Sequence, residues 1–375
     1  MEEHKTDQLT KIAPIVRGLL AEPTGNDDMP YSPVILNALT NQDVTDAGGQ
    51  PLRVESIKSD QAPEKTREQL QTAIDAYVSE YGSKPRTLYL GNLGVLSVSH
   101  QARKGPQLPL ENKVALVTGA AGALGYGICR GLLENGCHLG ATDLPGDKLD
   151  SFAAELKKTC GDRVIAVPLD VTDRVSVTQG IESIIQTWGG IDIVVINAGI
   201  ATVFHLKEMD FDAFRRLEKV NVEGALLTLS EVANHFILQG TGGDIIVISS
   251  KNVFSPGAGF GAYSATKAAC HQLGRIASVE LAQYGVRVNM VAPDAVFSEG
   301  GYKSGLWQEI GPNRMKARGL DEKELQEYYR NRNLLKIRVT GRHVANAVLF
   351  FATRQTPTTG ATIPVDGGLP DATPR

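Results

Sequence analysis

The stretch SSKNVFSPGAGFGAYSATKAA, residues 249–269, carries a hydroxyl, a phenol and an amine at fixed separations. Ser250 precedes Tyr263 by thirteen residues, and Lys267 follows Tyr263 by four. A helix running from Gly261 puts Tyr263 and Lys267 one turn apart on one face, where they can meet. Such a set suits proton transfer at a substrate oxygen. A free phenol keeps its proton up to pH of about 10, and using it near pH 7 takes about 4 kcal/mol of preferential stabilisation of the phenolate. A nearby ammonium supplies part of that. Taken singly, a serine at a strand end or a tyrosine on a helix is usually structural; together the three fit one reacting oxygen.

The elements that must position this set lie upstream. After a first apolar strand comes TGAAGALG, from Thr118 to Gly125, opening a helix. Gly119, Gly122 and Gly125 permit a tight turn and let backbone N–H groups approach a pyrophosphate at the positive end of that helix. Asp143 ends the second strand, 24 residues after Gly119. An acid there accepts from adenosine ribose hydroxyls and repels a 2'-phosphate, which favours NAD over NADP. No Arg or Lys lies within the glycine turn or directly after Asp143. The competing reading of Asp143 is an N-cap for the helix beginning near Asp147. Asp170 is placed to accept from the adenine amino group, with helix capping again the alternative.

From Lys113 onward, Val- and Ile-rich runs alternate with helix-length segments: KVALVTG, CHLGATD, RVIAVPLD, IDIVVINAG, GDIIVISS, VRVNMVAP and ATIPVDGG. Seven strands with intervening helices predict a doubly wound parallel sheet of the Rossmann type, covered on both faces. Residues 1–110 do not share this rhythm and read as a small N-terminal α/β appendage, set apart from a Rossmann-type domain over 111–375. The appendage holds an amphipathic N-terminal helix, a second helix in PEKTREQLQTAIDAYVSEYG and a strand pair in RTLYLGNLGVLSVS, followed by a linker, HQARKGPQLPLEN.

Composition narrows the function classes. The 375 residues include 42% hydrophobic and 21% charged ones, with a net charge of −4, which argues against non-specific nucleic-acid binding. Cys129, Cys137, Cys160 and Cys270 have neither C-x-x-C spacing nor a paired His motif, so no metal site or disulfide framework is expected. No apolar run approaches the length of a membrane span, and the start of the chain does not read as a signal peptide. A cytoplasmic protein is expected.

TGAAGALG, LDVT, the NAG of Asn197–Gly199, Asn221 in VNVEG, Ser250, YSATK and RVNMVAP occur in order, and as a set the chain resembles the short-chain dehydrogenase/reductase family over about residues 110–368. The resemblance implies an NAD-dependent oxidoreductase. Tyr263 would be the general acid or base and Ser250 a donor to the substrate oxygen. Lys267 would hold the nicotinamide ribose and support the phenolate, and Asn221 would position a water in a relay through Lys267. It also implies cofactor contacts from Gly119, Gly122, Ala123, Leu124, Gly125, Asp143, Asp170, Val171, Asn197, Ala198, Gly199, Tyr263, Lys267, Pro293 and Val296, and pairing of two long helices into a homodimer or homotetramer.

Two positions depart from the family pattern. Its middle glycine is Ala123 here, whose methyl narrows the cofactor approach, and the usual Pro-Gly after the sixth strand is Pro293-Asp294. The C-terminal motifs are most similar to the dehydrogenase half of bifunctional rhamnulose-1-phosphate aldolase/short-chain dehydrogenases. A metal-dependent aldolase needs several histidines, and the first 110 residues hold only His4 and His100, so the appendage reads as a degenerate remnant without a metal site.

The expected substrate is a small polyol, sugar, sugar phosphate or hydroxyaldehyde. A rival reading keeps the fold and NAD but makes the chain a non-catalytic regulator or scaffold; the intact Asn, Ser, Tyr and Lys set argues against it. Between Lys303 and Arg338, nine basic residues face five acids. Arg314, Arg318, Arg330 and Arg332 there are either an oxyanion site or one face of a solvated helix.

Overall fold

The computed structural model describes residues 2–39, 50–55, 57–58, 61–91, 93–99 and 107–369. The N-terminal part comprises α1 (Glu2–Leu20), β1 (Glu22–Pro23), β2 (Tyr31–Ser32), β3 (Ile35–Leu39), β4 (Leu52–Val54), α2 (Pro63–Tyr81), β5 (Thr87–Leu90) and β6 (Val95–Ser99). Strands β3, β6, β5 and β4 form one sheet in that order. The two expected helices and the β5–β6 pair are present, with β3 and β4 in addition. His100 and residues 101–106 of the expected linker lie outside the described residues. The rest of that stretch is not a free linker, because Leu110 is fully buried and its N–H donates to the Asn135 carbonyl.

The remainder begins β7 (Val114–Thr118), α3 (Ala123–Glu134), β8 (His138–Asp143), α4 (Asp147–Cys160), β9 (Val164–Pro168), α5 (Arg174–Trp188) and β10 (Ile193–Ile196). It continues through α6 (Phe211–Glu218), a π-helical turn at Lys219–Glu223, α7 (Gly224–Gln239), β11 (Gly243–Ile248), α8 (Gly261–Glu280) and β12 (Val286–Pro293). A two-stranded hairpin, β13 (Ser298–Glu299) and β14 (Tyr302–Lys303), leads to α9 (Gly305–Arg318), α10 (Glu322–Arg332), α11 (Gly341–Ala352) and β15 (Thr362–Val365). All seven expected strands join one parallel sheet, in the order β15-β12-β11-β10-β7-β8-β9. Strand order reverses between β7 and β10, the place where open α/β sheets bind ligands beyond their carboxyl ends.

Alternation along the strands divides the core into two layers, because successive side chains point to opposite faces. Val114, Leu116, Val194, Ile196, Ile245 and Val247 face one layer, with α5, α7 and α8. Ala115, Val117, Ile193, Val195, Ile246 and Ile248 face the other, with α3, α4 and α11. The N-terminal part joins the first layer through Ile15, Val16, Leu36, Leu70 and Ile74.

One buried ion pair fastens the two parts. The Arg17 guanidinium, 1% exposed, donates to both Asp192 carboxylate oxygens at 2.9 and 2.8 Å, and to Gln239 and the carbonyls of Val34 and Asn112. Burial alone would raise the Asp192 carboxyl, but Arg17, with Lys113 and the Val114 N–H, more than offsets that and holds it below its ordinary value. Among the described residues no helix is long and apolar enough to cross a membrane.

Candidate functional site

A cavity of about 610 Å³ opens at the strand-order reversal. Its floor is the turn between β7 and α3. Gly119 has φ of 62°, and a β-carbon there would meet the Ala198 α-carbon at 2.9 Å, so the turn takes glycine on both counts. At Gly125 a β-carbon would lie 2.3 Å from the Ala120 carbonyl oxygen, so this glycine lets α3 start hard against the turn. Gly122 meets nothing nearer than 3.8 Å and leaves the backbone open. Ala123, where the family pattern has glycine, is 2% exposed and packs in the core under α3.

The chain end of β10 is tied to this turn. Asn197 donates from Nδ2 to the carbonyls of Thr118 and Gly119, each at 2.9 Å, while the Thr118 hydroxyl accepts from the N–H groups of Asn197 and Ala198. Asp143 accepts from the N–H of Ala121 and of Leu144. Helix α4 is capped at Gly146, so Asp143 is not its N-cap. The structure corrects one expectation here. Lys148, on the first turn of α4, brings its ammonium to 4.0 Å from Asp143 and lines the cavity, so a base does stand beside this acid. Asp170 accepts from the N–H and hydroxyl of Thr172, and Asp173 caps α5 in its place.

Ser250, Tyr263 and Lys267 stand on the same cavity wall, 6%, 8% and 6% exposed. Ser250 lies two residues beyond β11, and its hydroxyl caps the following turn by accepting from the N–H of Asn252, a bond that does not use its own hydrogen. Lys267 donates to the Ile248 carbonyl at 2.9 Å. Asn221 lies behind the wall, in the π-helical turn between α6 and α7. Its amide pairs with both backbone groups of Ile200 and donates to Thr266. It nonetheless adjoins Lys267: a β-carbon on Gly199 would sit 3.2 Å from Asn221 Oδ1 and 3.3 Å from Lys267 Nζ.

Every residue that the resemblance assigns to the cofactor lies on the cavity wall. The residues fit a dinucleotide: an open glycine backbone at a helix N-terminus, with acids at the ends of β8 and β9. Sequence reasoning missed much of the opposite rim, where Lys251, Phe260, Trp307, Tyr328 and Tyr329 line the cavity beside Arg314, Arg318 and Arg332. Arg330 does not reach it; it pairs on the surface with Glu327. Asp294 pairs with Arg332, which gives the departure from Pro-Gly a partner.

Fold and site together define a doubly wound α/β chain whose cavity suits a dinucleotide. A short chain dehydrogenase family model matches residues 113–308, and the chain belongs to that family. It is 35% identical over 272 residues to the uncharacterized oxidoreductase YuxG of Bacillus subtilis, covering 72% of this chain and 39% of YuxG. It is 29% identical to an L-rhamnose 1-dehydrogenase (NAD(P)(+)) of Sphingomonas, covering 69% of this chain and 97% of that one. The sorbitol-6-phosphate 2-dehydrogenase SrlD of Erwinia amylovora superposes with a TM-score of 0.63 at 28% identity, over 68% of this chain and 98% of SrlD.

Proposed function

We propose that the chain is an NAD-dependent dehydrogenase acting between the hydroxyl and carbonyl forms of a small polyol, sugar, sugar phosphate or hydroxyaldehyde. The observation that carries this reading is the convergence of Ser250, Tyr263 and Lys267 on one wall of the cavity whose floor is the glycine turn. The nicotinamide, when bound, supplies the hydride acceptor or donor. Gly119, Gly122 and Leu124 would hold the pyrophosphate side, Asp143 the adenosine ribose and Lys267 the nicotinamide ribose.

Tyr263 exchanges a proton with the substrate oxygen, and the free hydrogen of Ser250 donates to the same oxygen and fixes its position. Asn221 fixes the backbone of Ile200 and, through Gly199, the space in which the Lys267 ammonium sits. The relatives named for L-rhamnose and for sorbitol 6-phosphate support a carbohydrate-like substrate.

A steady-state assay of NAD reduction over a panel of polyols, sugars, their phosphates and hydroxyaldehydes, with the reverse reaction run on the carbonyl forms, tests the reading. Turnover of at least one is expected. NADH binding without turnover of any would favour a binding protein of the same fold.

A further inference from the structure

Helices α9 and α10 line the cavity, and Ile310 and Trp307 of α9 pack in one apolar cluster with Phe260 and Tyr263. Ser304 caps α9, and Phe297 stacks on Trp307 at 4.2 Å, with Tyr329 edge-on to both. This aromatic cluster holds the two helices together. Arg314 and Arg318 are four apart on α9, Arg332 ends α10, and all three line the cavity.

Each guanidinium lies over an aromatic ring: Arg314 on Phe260 at 4.2 Å, Arg318 on Tyr328 at 4.8 Å and Arg332 on Tyr329 at 4.1 Å. Stacking of this kind fixes the plane of the fork and leaves its in-plane N–H donors for a ligand. Those donors are underused. Nε of Arg314 and Nε of Arg332 are buried without a partner, and the hydrogen bond from Arg314 to the Ala258 carbonyl is long, at 3.5 Å.

Charge points the same way. Lys251, Arg314, Arg318 and Arg332 line the cavity with one lining carboxylate among them, Asp294, already paired with Arg332; Lys251 also donates to the Ser255 carbonyl and has Asp366 nearby. Burial first, then repulsion from Arg332, depresses the Lys251 ammonium; burial, with repulsion from Arg318 and Arg332, depresses Arg314. Half-buried like charges repel unless an anion sits among them. The surface arginines nearby differ, since Arg330 and Arg338 both pair with Glu327. The cofactor's pyrophosphate has its own cradle at α3, so the unmet anion belongs to the substrate.

We propose that Arg314, Arg318 and Arg332, with Lys251, form a receptor for an oxyanion group, phosphate or carboxylate, carried by the substrate. This rests on the reading that the substrate is turned over at Ser250 and Tyr263. The receptor sets the substrate's orientation: arginine forks bind the anionic end, and the hydroxyl-bearing carbon at the other end reaches Tyr263.

The full chain is assayed with NAD on sorbitol, sorbitol 6-phosphate and gluconate, the last two being the phosphate and carboxylate arms. The wild type is expected to show at least about tenfold higher kcat/KM on one anion than on sorbitol, the worth of one charge-assisted hydrogen-bonded contact. Arg314→Ala and Arg332→Ala should each lower that preference about tenfold, Arg314→Lys should restore part of it, and Arg330→Ala should keep it. NADH binding by fluorescence shows that each variant is folded. Equal losses on charged and neutral substrates, or a wild type that prefers sorbitol, would overturn the proposal. If none of the three compounds is turned over, calorimetry of inorganic phosphate into the NADH-loaded protein decides. Binding that Arg314→Ala and Arg332→Ala abolish supports the receptor, and turnover over the wider panel then decides the dehydrogenase reading separately; no binding overturns the receptor.

Discussion

Asp143 at the end of β8 accepts a hydrogen bond from the N–H of Ala121, at 3.0 Å, inside the glycine turn. The acid is thereby fixed in orientation on the cavity wall, beside the place where an adenosine ribose would lie. A carboxylate there repels a 2'-phosphate. Lys148, 65% exposed, stands 4.0 Å away and offsets part of that repulsion.

The expected outcome is a kcat/KM with NAD about tenfold above that with NADP, a difference of roughly 1.4 kcal/mol. Asp143→Asn should narrow the ratio and Lys148→Ala should widen it, measured for both cofactors in one buffer. Equal efficiency with the two cofactors in the wild type would remove the basis for NAD preference.

Gly119 and Gly122 separate the two tasks of the turn. Gly119→Ala strains a positive φ and drives a methyl into Ala198, so it should destabilise the fold by about 1–3 kcal/mol. Gly122→Ala meets only the Gly119 carbonyl, at 3.8 Å, so melting should stay near wild type while NADH binding weakens. Melting curves and NADH titrations on both variants check this; a Gly122 variant that binds as wild type would show that the cofactor does not approach there.

Much of this architecture is legible in the sequence, for physical reasons. Strands buried on both faces read as runs such as DIIVIS, and the layers on either side demand the helices between them. The spacing of Ser250, Tyr263 and Lys267 survives folding because Ser250 caps the turn that follows β11 and α8 carries the other two one turn apart. Other features depend on tertiary contact. β3 is only ILNAL, two residues after a proline, and it takes strand form by pairing with β6. α9 carries Gly311 and Pro312, which argue against a helix, yet its cap and the aromatic cluster under it hold it. Lys148 reaches Asp143 only because α4 turns back over the end of β8.

Acid should loosen the fold before it reaches the carboxylates. Burial, then repulsion from Arg17, holds His235 at about 4 against an ordinary 6.5; its Nε2 accepts from the N–H of Ile191 and its Nδ1 is buried without a partner. Burial, then Arg163 and Arg17, holds His138 at about 4 as well. Between pH 6.5 and 4 the unfolded chain therefore binds protons that the native chain does not, so stability is full above about 6.5 and is lost as pH falls toward 4. Urea unfolding at pH 7 and pH 5 should differ by on the order of 2 kcal/mol for each histidine, and His235→Gln should flatten the dependence. Equal stability at the two pH values would contradict it.

Exposed apolar side chains remain on two long helices, Leu226 and Ile237 on α7 and Ile276 and Val279 on α8. α1 packs against the C-terminal end of α7, where Arg17 donates to Gln239 and Gly18 lies against the Gln239 carbonyl. A homodimer or homotetramer using these faces is the expected assembly. Sedimentation equilibrium at micromolar concentration should give a mass of two or four chains, and Val279→Glu should lower it; a monomeric wild type would count against it.

Tyr263 is the proposed proton-transfer group. Tyr263→Phe removes one oxygen from a side chain that is 8% exposed and packed against Phe260, so the fold and NADH binding should persist. The deciding measurement is kcat for this variant on the best substrate of the panel, with NADH affinity determined on the same preparation. A fall of about 10²–10⁴-fold at unchanged affinity is the expected result; a kcat within tenfold of wild type would show that another group carries the proton.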